Sequence, residues 1–235
     1  MEQPADRIRQ HLSHVERLRA QAAEPARAQA VRDIKTLQAQ RFRASYADAL
    51  ADPRQAPAAR FFLEELYGDH DFRERDAQFG RIAGAIERLF PAQVAQLAVD
   101  MAELHALTET LDHEMALHWL AARGMPAQRY VTAWRTTSRR DARERQLQVV
   151  QHMGEELQRL TRLKGLRMAL RMMRSPARAA GLSALQDFLE AGFDAFATLG
   201  DASGFLGRVA ERESALIHTL FDAPDAPARL QPLIT

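Results

Sequence analysis

Cysteine is absent from the 235 residues, which removes disulfides, thiolate nucleophiles and Cys-ligated zinc or iron–sulfur centres from the available chemistry. Lysine is scarce as well: arginine supplies 30 of the 32 basic residues, with Lys35 and Lys164 the remainder. That bias fits a GC-rich coding background better than a dedicated anion site. No apolar run approaches the roughly 18 residues that a bilayer span requires. The opening residues, from Met1 to Arg7, are charged and lack the apolar core of a secretory signal. A cytoplasmic protein without integral membrane association is the expectation. Strand signals are missing too, since no sustained alternation and no Asn-Gly or Asp-Gly hairpin joins β-branched runs. Neither a Gly-x-Ser-x-Gly nucleophile elbow nor a phosphate-binding Gly-x-x-x-x-Gly-Lys-Ser/Thr loop occurs. The familiar hydrolase, kinase and dehydrogenase chemistries are thereby argued against, and no motif names a cofactor.

What is present is a 3.6-residue hydrophobic period running almost the whole length. It predicts helices over 5–22, from Pro25 to Leu50 and over 58–67, the last closed by Gly68. Another starts at Asp71 with Glu74 as a capping-box-like pair, and buries Phe72, Phe79, Ile82, Ile86 and Leu89. A long helix opens at Pro91 and ends before Gly124 and Pro126. The stretch after it has no proline until Pro176, with Ser138 a candidate cap. Its later part is expected to bury Val150, Met153, Leu157, Leu160, Leu163, Leu170 and Met173, and Ser175-Pro176 is expected to break it. Helices over 183–199 and 203–221 follow. The fold class is therefore all-α: a single compact bundle of about eight or nine helices over residues 1–221. Residues 1–50 form a candidate loosely docked hairpin, and 222–235, rich in proline, an irregular tail.

The informative anomaly lies on the long helix. His105, Glu109 and Asp112 share one stripe, with Thr108 beside it, and the stripe continues the core face of Val94, Leu97, Met101, Leu104, Leu111 and Met115. Ionisable groups on such a face are costly unless paired. Asp76, between Phe72 and Phe79, and Glu213, between Val209 and Leu216, occupy equivalent core stripes of other helices. If these helices pack together, Asp76, His105, Thr108, Glu109, Asp112 and Glu213 form a candidate buried polar site. Three chemistries fit it: an internal ion-pair network neutralised by Arg73, Arg75, Arg81 or Arg212, a small-molecule pocket, or a metal site with His105, Glu109 and Asp112 as ligands. The metal reading is weakened by the lack of any Glu-x-x-His motif. His113 and His118, five residues apart, fall about 140° apart on a helix, so they do not match the zinc-protease spacing; they are expected at a surface or interface.

Smaller features point the same way. Tyr130 and Trp134 read as a helix-packing pair, with a ligand shelf beside Arg135 as the alternative. Phe188, Phe193, Phe196 and Phe205 read as core. Gly154 and Gly165, inside a helical pattern, suggest close helix approach. Residues 123–178 carry fourteen basic and four acidic side chains, which predicts packing against acidic helices. Stacking aromatics and recognition signatures are missing, so nucleic acid is not the expected partner. The helix from Arg159 to Arg174 is amphipathic enough for an anionic membrane, but its apolar face is expected to be needed by the core.

The stretches from Ala59 to Gly68 (ARFFLEELYG), Asp71 to Asp76 (DFRERD), Leu104 to Asp112 (LHALTETLD), Met172 to Ala177 (MMRSPA) and Phe188 to Phe193 (FLEAGF) resemble an uncharacterised family of proteobacterial helical proteins. The similarity runs over about residues 40–221. It implies a bacterial cytoplasmic helical protein and brings no activity or catalytic residue with it. The resulting expectation is a non-enzymatic protein acting through protein–protein contact, as a homo-oligomer or with another chain. The alternative is a metal- or small-ligand-binding protein or enzyme built on the helical-core site.

Overall fold

The computed structural model describes residues 2–65, 71–163 and 165–234, and all its regular structure is helical. The first half contains α1 (Pro4–Gln21), α2 (Pro25–Ser45), α3 (Ala47–Ala51), α4 (Ala56–Glu65), α5 (Arg73–Leu89) and α6 (Ala92–Ala121). The second contains α7 (Pro126–Thr137), α8 (Arg140–Thr161), α9 (Leu166–Met172), α10 (Arg174–Ala179), α11 (Ser183–Leu199), α12 (Ser203–Asp222) and α13 (Ala226–Leu230), then a 3-10 turn, Gln231–Leu233. The expected eight or nine helices are too few. The excess comes from α3, α9, α10 and α13, each of seven residues or fewer, too short to leave a periodic signature.

Prolines open α1, α2 and α7 at first-turn positions, where the missing N–H costs nothing. Pro176 does the same inside α10, so Ser175-Pro176 belongs to a helix and does not break one. The break lies earlier, where α8 stops at Thr161 and Gly165 takes φ +87°, a left-handed conformation that glycine adopts without strain. A side chain at Gly165 would meet nothing, whereas a Cβ at Gly154 would lie 2.5 Å from Leu206. Close helix approach therefore explains Gly154, where α8 crosses α12, and not Gly165. Ser138 ends α7 with φ 52° and does not cap α8. The Asp71/Glu74 capping pair is not formed: Phe72 precedes α5, and Glu74 accepts from Gln78. Gly68, with its expected helix-closing role, lies outside the described residues.

Three apolar clusters share their helices. One joins α2, α6, α7 and α12 to the C-terminal segment, a second joins α2, α3 and α4 to α11 and α12, and the third joins α1, α5 and α6 to α11. The 30-residue α6, about 45 Å long at 1.5 Å per residue, runs through two of them. The N-terminal hairpin is not loosely docked. Ile8, Leu12 and Val15 of α1 are buried, each contributing about 1.5–3 kcal/mol of hydrophobic stabilisation. The tail is not irregular either: Ala226, Leu230 and Ile234 fall at i, i+4 and i+8 and enter the first cluster. Its prolines permit this because Pro227 and Pro232 sit in helical first turns. Leu89, Leu163 and Met173, expected inside, are exposed at 77%, 54% and 52%, because each lies at or beyond the end of the helix that would have carried it inward.

Candidate functional site

The stripe on α6 faces inward. Thr108, Glu109 and Asp112 are buried and His105 nearly so, its side chain 11% exposed. The structure brings Asp76 to this stripe: His105 Nε2 lies 2.9 Å from Asp76 Oδ2. A carboxylate only accepts, so Nε2 carries the proton there. Arg19 of α1 reaches the same Asp76 oxygen at 2.8 Å, and Arg75 stands 3.5 Å from the other. Burial pushes the Asp76 carboxyl up. The His105 hydrogen bond and charge, with Arg75 and Arg19 beside them, outweigh that effect and leave it below its usual value.

One turn along, Glu109 is held by Lys35 of α2 at 2.6 Å. Burial again acts upward on the Glu109 carboxyl, and the Lys35 and His105 charges overcome it. Thr108 donates to the Leu104 carbonyl at 2.8 Å and accepts from Gln146 at 2.7 Å. His113 is buried, contrary to its expected surface position, because its Nδ1–H donates to the Glu109 carbonyl at 2.7 Å. Burial holds the His113 ring below its usual value.

Asp112 departs from this pattern. Its side chain is among the most buried of the described residues, Gln38 donates to Oδ1 at 2.9 Å, and Oδ2 has no hydrogen-bond partner among them. Burial pushes its carboxyl up to about 6 despite the Lys35 and Arg143 charges nearby. Among the described residues, Glu213 forms no hydrogen bond or ion pair with the other five. It pairs with Arg41 and accepts from Tyr46 Oη at 2.9 Å, both from the α2–α3 stretch. The candidate metal ligands His105, Glu109 and Asp112 thus point to three different partners. Among the described residues, no three His, Asp or Glu side chains gather as a set that could hold a metal ion.

Of the four arginines considered for neutralising the site, only Arg75 takes part. Arg73 pairs with Asp71, Arg212 with Asp48, and Arg81 binds the Gly181 carbonyl. Sequence reasoning missed Arg19, Lys35 and Gln38. Lys35 is one of two lysines, and Gln38 lies one turn from Ile34 on the buried face of α2, so a polar stripe there was readable. Asp100 was missed too: it is buried and faces His152 at 2.8 Å and Gln96 at 2.7 Å.

Tyr130 and Trp134 stack at 6.0 Å inside the first apolar cluster, and Arg135 instead binds the Leu220 and Ala223 carbonyls. Phe193, Phe196 and Phe205 are core, while Phe188 is half-buried. Phe188 helps to line a cavity of about 50 Å³, where Phe61, Phe72 and Met101 face His105 and Glu109. That volume admits a few water molecules, well below the several hundred Å³ typical of drug-sized ligands.

A family model, a domain of unknown function (DUF8198), matches residues 17–227. The chain belongs to that family. The match takes in every residue of the buried network, from Arg19 to Glu213. No curated protein and no solved structure matches this DUF8198 chain. Among the described residues, no helix is long and apolar enough to cross a membrane.

Proposed function

We propose that this chain is a non-enzymatic protein of the bacterial cytoplasm that acts through contacts with other protein chains. The observation that carries the reading is where polar and apolar groups are spent. Inside, Asp76, Glu109 and Glu213 are each matched by a cation of the same chain, which leaves little for a substrate to engage. Outside, ten large apolar side chains are exposed among the described residues. They fall in three chain-local groups: Leu89 with Phe90, Leu117 with Leu120 and Met125, and five between Leu163 and Leu189. Clustered apolar exposure is the surface signature of protein contact. The test is native purification of the chain from its own host, followed by light scattering and mass spectrometry of the intact assembly. A reproducible stoichiometric protein partner, or a dimer, is expected. A monomer carrying a stoichiometric transition metal would overturn the reading.

A second reading, a small-ligand site, draws on the cavity beside His105 and Glu109. The same intact-mass measurement addresses it, since a bound small molecule adds a discrete mass to the monomer.

A further inference from the structure

Between Leu157 and Gln186 the chain holds thirty residues without one carboxylate, and seven of them are cationic. This stretch builds an arm from α9 and α10. No residue of α9 is buried, and Ala177 is the sole buried residue of α10. Polar bonds carry much of the attachment to α11. Gln186 donates to the Leu170 carbonyl at 2.7 Å, Arg167 pairs with Asp194 at 2.9 Å, and Arg174 clamps Glu190 through both of its oxygens. The Arg174 pair holds Glu190 well below the usual carboxylate range, at about 2.

On α9 itself, Leu166 and Leu170 lie on one side, half-buried. About 200° around the helix, Met168 and Met172 face outward at 63% and 71% exposure, and Leu163 and Met173, before and after α9 in the chain, are exposed as well. The membrane objection, that this apolar surface is needed by the core, therefore fails. On the same stretch of chain, Arg162, Arg171 and Arg178 are exposed and form no ion pair among the described residues.

Resting on the interaction reading above, we infer that this arm is the docking surface for an acidic amphipathic helix of a partner protein. The partner's apolar face would lie on Leu163, Met168, Met172 and Met173, and its carboxylates would meet Arg162, Arg171 and Arg178. Charge selects the occupant. A two-fold self-association through this arm would set unpaired arginines against their own copies, and like charges at an interface cost several kcal/mol. Composition separates a protein from a lipid surface. Arginine and methionine are enriched at protein interfaces, and flexible methionines adapt to varied apolar partners. The arm has no tryptophan, tyrosine or phenylalanine to anchor it at a headgroup layer, and α9 is only two turns long.

The test uses the full chain and three probes. One is a fluorescein-labelled helical peptide with leucine on one face and glutamate on the other. The second is a scrambled peptide of the same composition, and the third is vesicles of equimolar POPG and POPC. Fluorescence anisotropy at physiological salt is expected to show the patterned peptide binding about tenfold more tightly than the scrambled one. Met168→Ser with Met172→Ser, and separately Arg162→Gln with Arg171→Gln and Arg178→Gln, are each expected to weaken binding by about tenfold. Circular dichroism melting confirms that the variants fold. Equal binding of the two peptides overturns the proposal, as does binding to the vesicles and not to the peptide. Patterned-peptide binding that survives both sets of substitutions also overturns the arm, but leaves the interaction reading standing with its site elsewhere. That reading fails separately, if native purification gives a monomer with a bound metal.

Discussion

Two regions of this protein treat charge in opposite ways. In the seam along α6, charge is buried and balanced: Asp76 meets Arg19 and His105, and Glu109 meets Lys35. In the arm of α9 and α10, charge is exposed and of one sign. The difference teaches what each region is for. A buried ion that loses its partner is strongly destabilising, so the seam is tied to folding. An exposed, unpaired arginine contributes almost nothing to folding, and in the docking proposal these arginines and the exposed methionines meet a partner outside the chain.

The sharpest way to break this comparison is to remove the seam's shared acceptor. Asp76→Ala leaves Arg19 and His105 facing each other without a carboxylate, and should cost about 3–5 kcal/mol in urea unfolding. A loss below about 1 kcal/mol would place these pairs with ordinary surface ion pairs. His105→Ala removes a donor from Asp76 but leaves both arginines, so a smaller loss of about 1–3 kcal/mol is expected. If that substitution instead raised stability, the histidine would be a group retained for function at a stability cost.

Asp112 sharpens the comparison from within the seam, because there the balancing is incomplete. Its folded-state value of about 6 lies above its usual 3.8, so the native state holds an extra proton between them. Stability from this group is therefore retained at low pH and lost as pH rises from about 4 to above 6, by about 3 kcal/mol in all. Asp76 and Glu109 shift the other way, and their contributions are lost only as pH falls through their lowered values. Asp112→Asn keeps the acceptor for Gln38 and cannot ionise. Relative to the wild type, it should gain about 3 kcal/mol on going from roughly pH 4 to pH 8. A pH-independent difference would show that Asp112 is not the group responsible. The smallest expected effect is on the arm: Met168→Ser with Met172→Ser should change stability by no more than about 0.5 kcal/mol, and a larger loss would mean that these side chains pack.

Legibility followed the range of each interaction. The inward stripe of His105, Glu109 and Asp112 was readable because helical spacing is local, and Asp76 was placed by the same argument on α5. The partners were harder. Lys35 is 74 residues from Glu109, and Arg19 is 57 from Asp76; periodicity orders one helix but not the packing of several. Glu213 fell on a core stripe as expected, yet its helix turns it toward Arg41 and Tyr46. The arm was misread because Leu163, Leu170 and Met173 fit a helical core pattern. The break at Gly165, which a glycine inside that pattern only hinted at, rotates the stripe and leaves α9 without a buried residue.

The contrast between seam and arm is tested most directly by urea unfolding of two charge-removing variants side by side, under identical salt and pH. Lys35→Met takes one cation from the buried seam. Arg162→Gln with Arg171→Gln and Arg178→Gln takes three from the arm. The account predicts a loss of about 3 kcal/mol or more for the single substitution and a change within about 0.5 kcal/mol for the triple. A triple variant that loses as much as Lys35→Met, or a Lys35→Met chain as stable as the wild type, would contradict it.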